Sequence, residues 1–314
     1  MTKLRFISIS DIHGNIDAVS KLVKSRISQK EHFNAIIISG DFPATIPFIL
    51  VTQYILRWRN LSRLGYSRKV YHEELRNQFV KLQITSTEKM LSLLQKFNLP
   101  IYYITGNVET REVIYHMKQK YDNIQFLEDK ELIINNKYLL TGIGGSLEHL
   151  RIICDHEFST ESFNKRIDEQ RKKIESKYSD LDKIFIFHEP PKFFRDEKEM
   201  EKLKKKARNR GYNYDFPRTA GSQSLFNLIK KFNPILTING HYHEYAGRRR
   251  IKKTVVINPG PLATYNYALI TINDDKRYKK VDSKFYKIKS NQISFINFLY
   301  QKRSFTNSSI IMHQ

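Results

Sequence analysis

The sequence carries a single cysteine, Cys154, among 314 residues. No disulfide can close within the chain, and a reducing compartment is the expected setting. No stretch reaches the roughly 18 consecutive apolar residues of a membrane-spanning helix. The opening MTKLRFISISDIHG holds an apolar run too short for a signal-peptide core, and it reads as a strand that ends on an aspartate. The expectation is a cytoplasmic protein with no membrane span. Internal repeats and low-complexity tracts are missing as well. Acidic residues are scarce, with 32 Asp+Glu against 54 Lys+Arg and a formal charge of +22. Such a field concentrates anions without choosing among them. Nucleic acid, nucleotides, phospholipid headgroups and small phosphorylated metabolites all remain open, as does a merely Lys-rich composition. The oligomeric state is left unspecified.

What is present is the composition of a folded protein, 40% hydrophobic with 12% aromatics. Short apolar runs alternate with helical patterns, the signature of an α/β architecture. Strands are expected at Leu4–Ser10, Ala35–Ser39, Ile101–Thr105, Lys183–Phe187, Ile235–Ile238 and Thr254–Ile257. After the first, Asn15 is placed to cap a helix with an apolar stripe of Ala18, Val19, Leu22, Val23 and Ile27. Three stretches read as insertions: 43–90, 155–180 and 192–220. The last is Lys/Arg-dense and then aromatic at Tyr212, Tyr214 and Phe216, a pattern able to track a phosphate backbone or simply to form a solvated helix and loop. The expectation is one catalytic domain over 1–272 with a basic extension over 273–314.

The chemistry-bearing residues fall at the strand ends in one order: Asp11-Ile12-His13, Gly40-Asp41, Gly106-Asn107, His188 and Gly240-His241-Tyr242-His243. Carboxyl ends of strands are where ligands collect in open α/β sheets. In extended backbone, residues two apart share a side, so Asp11 with His13, and His241 with His243, are expected to face one small volume each. The three glycines are expected to let the chain turn as it leaves a strand. Carboxylate oxygen with imidazole nitrogen suits Mn, Fe, Zn, Co or Ni better than calcium. Any one of these motifs alone is more often structural; the joint pattern is not.

The ordered pattern D-x-H, G-D, G-N, H, G-H-x-H resembles the calcineurin-like metallophosphoesterases, in particular their small microbial phosphodiesterase and phosphatase branch. SDIHGN at 10–15, HEPP at 188–191, GSQSL at 221–225, NGHYHEYAG at 239–247 and INPGPLA at 257–263 carry the likeness. The resemblance implies a four-layer α-β-β-α sandwich of two mixed sheets with helical insertions. It implies two divalent ions, Mn first, with Fe, Zn, Co, Ni or Mg as alternatives. Asp11, His13 and His243 would hold one ion, Asn107, His188 and His241 the other, and Asp41 would bridge them. Asp41, Asn107 and His241 are expected to stand nearest the reaction, attack of a bridging hydroxide on an anionic phosphate ester. Many relatives carry His after Gly-Asn to protonate the leaving oxygen, whereas Val108 stands here. That loss should matter least for substrates with acidic leaving groups, such as nucleotide or aryl phosphodiesters, and phosphomonoesters stay open as substrates. Asn15, Glu109 and Arg111 are candidates to orient ligands or meet substrate, and His116 and Glu189 are weaker ones. The alternatives are a nuclease on DNA or RNA using the same residues, and a non-catalytic scaffold for a protein partner.

Overall fold

Successive side chains of each central strand enter different cores, and that alternation sets the architecture. The computed structural model describes residues 2–25, 32–45, 68–128, 130–148, 155–209, 218–274 and 279–289. With strands numbered in chain order, the first sheet holds β1 (Thr2–Ile9), β2 (Ala35–Ser39), β3 (Ile101–Ile104), β4 (Ile124–Phe126), β15 (Asn266–Asp274) and β16 (Lys279–Lys287). Their order is β16-β15-β1-β2-β3-β4. The strands from β1 to β4 run parallel, and β15 and β16 are added antiparallel. The second sheet holds β5 (Leu132–Ile134), β6 (Tyr138–Ile143), β9 (Asp182–Phe187), β12 (Leu236–Ile238), β13 (Gly247–Ile251) and β14 (Thr254–Asn258). Its order is β13-β14-β12-β9-β6-β5, parallel in the centre and antiparallel at both edges. Two short pairs complete the strands: β7 (Ser146–Leu147) with β8 (Glu157–Phe158), and β10 (Phe193–Phe194) with β11 (Thr219–Ala220).

Phe6, Ile37, Ile184, Ile186, Ile238 and Ile270 meet in a core between the two sheets. Their neighbours Ile7, Ile9, Ile36 and Ile38 face the other way, against helices. There α1 (Ile16–Lys24), α2 (Arg68–Leu94) and α3 (Arg111–Lys120) cover the first sheet through Val19, Leu22, Leu91, Leu94, Val113 and Met117. On the second sheet, Phe185 and Phe187 face α4 (Thr160–Lys177) and α6 (Gln223–Phe232), while α5 (Glu197–Arg208) lies between β10 and β11 in the chain. The period of two explains why the central strands read as continuous apolar runs: both faces are buried. The result is the expected four-layer α-β-β-α sandwich of two mixed sheets.

The segments expected as insertions are drawn into these layers. Within 155–180, α4 buries Phe163, Ile167 and Ile174 against the second sheet, so it is an outer layer of the fold. Three apolar contacts in 18 residues were too narrow a stripe to stand out from the charge around them. Within 43–90, the last turns of α2 also belong to the core, with Met90 fully buried; residues 46–67 lie outside the described residues. Of 192–220, the segment with Tyr212, Tyr214 and Phe216 lies outside them too. The boundary at 272 falls inside β15, and β16 pairs with β15 from Asn266↔Lys287 to Asp274↔Lys279. Residues 279–287 are therefore an edge strand of the first sheet. Charge on an edge strand guards it against pairing with other chains, and it made this one read as an appendage. Residues 290–314 lie outside the described residues. None of the described helices is long and apolar enough to cross a membrane.

Candidate metal centre

Asp11, Asp41 and Asn107 follow β1, β2 and β3 of the first sheet, and His188 and His241 follow β9 and β12 of the second. The carboxyl ends of both sheets meet here, so one cradle draws on both. The backbone is not extended at these positions. Asp11, His13, Asp41 and His241 have φ of 51°, 48°, 54° and 64°, the left-handed region that costs a non-glycine residue about 1–2 kcal/mol. The two-residue alternation expected for Asp11/His13 and His241/His243 therefore does not apply. Asp11 and His13 instead meet through two tight bends, and His241 and His243 separate into different groups.

The glycines allow close approach more than turning. A Cβ on Gly106 would lie 2.0 Å from Asp41 Oδ1, and one on Gly240 2.0 Å from Ser10 Oγ. Of Gly40, Gly106 and Gly240, only Gly40 combines both roles, with φ at +92° and a Cβ that would lie 2.4 Å from His188 Nδ1.

Two groups of donors result: Asp11 with His13 and His243, and Asp41 with His188 and His241. In the first, His243 Nε2 lies 3.3 Å from both Asp11 Oδ1 and His13 Nε2. In the second, His188 Nε2 lies 3.4 Å from Asp41 Oδ1 and 3.1 Å from Asn107 Oδ1. Asp41 faces both, its other oxygen standing 3.8 Å from His13 Nε2. His188 is fully buried, whereas the His243 side chain is 42% exposed, so the cradle opens to solvent on the first group's side.

The charges of the metal-free chain follow from this crowding. Burial and the Asp41 carboxylate pull in opposite directions on His188; the carboxylate wins, and His188 is pushed up to about 10. Asp41 is itself buried, yet the neighbouring His188 imidazole holds it well below the ordinary carboxylate range. His243 is raised despite burial because it faces Asp11. For His13 burial prevails over Asp41, and it is lowered.

The donor set fits divalent cations. His188 Nδ1 donates to the Ser39 carbonyl at 2.8 Å, so a neutral His188 presents a lone pair at Nε2. That lone pair faces the Asn107 and Asp41 oxygens, three acceptors converging with no hydrogen among them. With the Asn107 oxygen on that side, a proton on Nε2 or a cation resolves such an arrangement. In the first group two imidazole nitrogens face each other beside a carboxylate, and His13 Nδ1 is buried without a hydrogen-bond partner among the described residues. Mixed oxygen and nitrogen donors suit first-row divalent ions.

The surrounding residues take distinct parts. Glu109 accepts from Phe42 N (3.1 Å), Tyr103 Oη (2.7 Å) and Gly106 N (2.9 Å). It thereby ties the loop carrying Asp41 to the one carrying Asn107; burial and then Asp41 push it up to about 7. Asn15 has a structural part at both ends of its amide: Oδ1 accepts from Ala18 N at 3.0 Å and Nδ2 donates to Ala263 O at 2.9 Å. It caps α1 and pins the 263 turn. The Arg111 main-chain N–H donates to Asp155 at 3.0 Å, at the start of α3. His116 pairs with Glu88 at 2.9 Å on the flank of α3. Sequence reasoning missed Glu157, which accepts from Asn107 Nδ2 at 3.2 Å. It lies in a segment read as an insertion, and no spacing marked it.

Glu189 is fully buried beside His188, with Oε1 lacking a hydrogen-bond partner among the described residues and Oε2 3.7 Å from His241 Nε2. Burial pushes its carboxyl up to about 8, against the Leu147 amide and His188, which pull it down. Between pH 4.5 and 8 the unfolded chain has lost this proton and the folded chain keeps it, so stability falls as pH rises. Urea unfolding of metal-free protein at about pH 5, 6.5 and 8 is expected to show Glu189→Gln escaping that decline. The difference should approach about 1.4 kcal/mol per pH unit within the window, and parallel profiles would refute it.

The profile of the metallophosphoesterase family of the calcineurin superfamily matches residues 1–282, and the chain belongs to that family. One solved structure aligns at 17% identity over 92% of this chain and 100% of its own, with a TM-score of 0.62. The protein TT1561 of Thermus thermophilus aligns at 17% identity over the same shares, with a TM-score of 0.54. A phosphopantetheinyl hydrolase from Mycobacterium tuberculosis aligns at 10% identity over 83% of this chain and 90% of its own, with a TM-score of 0.45. For the first two, the likeness speaks to the fold alone. No curated protein sequence matches.

Proposed function

We propose that this chain hydrolyses phosphate esters, phosphodiesters ahead of monoesters, with a pair of divalent cations as cofactors. Asp11, His13 and His243 would hold one, Asn107, His188 and His241 the other, and Asp41 both. The observation that carries this reading is Asp41, whose two oxygens face one histidine of each group, 3.8 Å from His13 and 3.4 Å from His188. When bound, two such ions supply an activated water and neutralise phosphoryl charge in an in-line displacement. The chain's own part is to orient. Val108 N donates to Asp41 Oδ1 at 3.1 Å and His241 N to Asp11 Oδ1 at 3.1 Å, so both carboxylates are held from the opposite sheet or loop. Mn is the ion proposed first.

Val108 presents no acid at the position where relatives place histidine, so the leaving oxygen must depart with little help. A nitrophenyl diester is expected to turn over with added Mn²⁺, and an alkyl diester to be slower by on the order of 10²-fold or more, the usual worth of a general acid. Absence of Mn²⁺-dependent turnover on bis-aryl and mono-aryl phosphates alike would sink the proposal. A nuclease reading draws on Arg248 and Arg250, both exposed on edge strand β13 a few residues beyond His243. Steeply salt-dependent oligonucleotide binding, lost in Arg248→Ala/Arg250→Ala, would favour it.

A further inference from the structure

A carboxamide has two ends of nearly equal size, and only the oxygen can serve a cation. Once His188 gives up its Nε2 proton, as it must to serve a cation, the competing orientation of Asn107 is a good one. Turned over, its NH₂ would donate to the His188 Nε2 lone pair 3.1 Å away, and the second group would lose a ligand. We propose that Glu157 prevents this and is the positioning residue for Asn107. The inference rests on the two-cation reading above.

A carboxylate can only accept, so Glu157 Oε1, 3.2 Å from Asn107 Nδ2, selects the NH₂ end and leaves Oδ1 facing His188. In the turned orientation two oxygens would oppose each other there. Glu157 is in turn held firmly. It lies in β8, where Ser146 N donates to His156 O and Glu148 N to Phe158 O, each at 3.0 Å, bracketing its main chain. Two residues earlier, Asp155 accepts from the Arg111 main-chain N–H at 3.0 Å and from Arg76 at 2.7 Å. Arg76 also pairs with Glu112 at 2.9 Å, on α3. Asp155 and Glu157 thus grip the two ends of the Asn107–Arg111 turn, one at the helix start and one at the ligand. The contact joins β8 to the loop after β3, which share neither a sheet nor a helix.

The test is Mn²⁺ binding to metal-stripped protein, followed by the resonance of free Mn²⁺. Unaltered protein is expected to bind two equivalents. Glu157→Leu should keep one and weaken the other by about 10–100-fold, the usual effect of losing a ligand's hydrogen-bond partner. Glu157→Gln, equally uncharged but still an acceptor, should restore most of that affinity. In Asn107→Ala, Glu157→Leu should add nothing further, because the group it orients is gone. Equal affinities for the Leu and Gln variants, weakening of both equivalents alike, or additivity with Asn107→Ala would each overturn the inference. Fewer than two equivalents in unaltered protein would instead overturn the two-cation reading itself. Should Glu157→Leu fail to fold, the comparison of Gln with Ala at 157 reads the same quantity.

Discussion

Asp41→Asn is expected to lower kcat/KM by on the order of 10³-fold or more. The side chain keeps its size and loses the charge shared between the two groups, and stabilisation worth several kcal/mol at the transition state goes with it. The wild-type carboxylate stands against His188 on one side and His13 on the other. Val108 N would still find an oxygen at position 41, so the loop is expected to stay in place and the loss to be chemical. Two measurements check this together: steady-state turnover with saturating Mn²⁺, and the metal content of the isolated variant. Full activity in Asp41→Asn would remove the shared carboxylate from the mechanism.

The second large effect is on stability, at Gly40→Ala. Gly40 has φ at +92°, and a Cβ there would lie 2.4 Å from His188 Nδ1 and 2.7 Å from Gly106 Cα. An L-residue at that φ costs about 1–3 kcal/mol, and forcing a methyl into filled space about 1–3 more. Because Gly106 is backbone on a neighbouring strand end, it cannot swing aside as a side chain would. Together these take about 2–6 kcal/mol from a domain whose total is typically 5–15. Urea unfolding should show the midpoint falling with the slope unchanged, and His188 displaced from the Ser39 carbonyl should weaken Mn²⁺ binding as well. A midpoint within error of the unaltered protein would contradict this account.

The fold was legible where burial is two-sided. The runs AIIIS at 35–39 and DKIFIF at 182–187 are the central strands β2 and β9, and the ordered aspartates and histidines after such runs pointed to the cradle. It was hidden where one buried stripe is diluted by charge, as in α4 and β16, because composition reports the many exposed residues and packing depends on the few buried ones. The site itself divided the same way. Residue types and order were readable, since each must be an oxygen or nitrogen donor. Their geometry was not: four left-handed φ values and three glycine approaches depend on backbone that no residue spacing encodes. Glu157 escaped for a related reason. It reaches Asn107 from 50 positions away in sequence, and its identity as an ordinary acidic residue gives no sign of the contact.

His241 and His243 are two positions apart yet serve separate groups, and this has a thermodynamic consequence. The two imidazoles turn about their own side-chain bonds but share a three-residue backbone. Were both groups to take an ion as proposed, the first to fill would order that backbone and spare the second part of the ordering entropy, against the repulsion of two like charges.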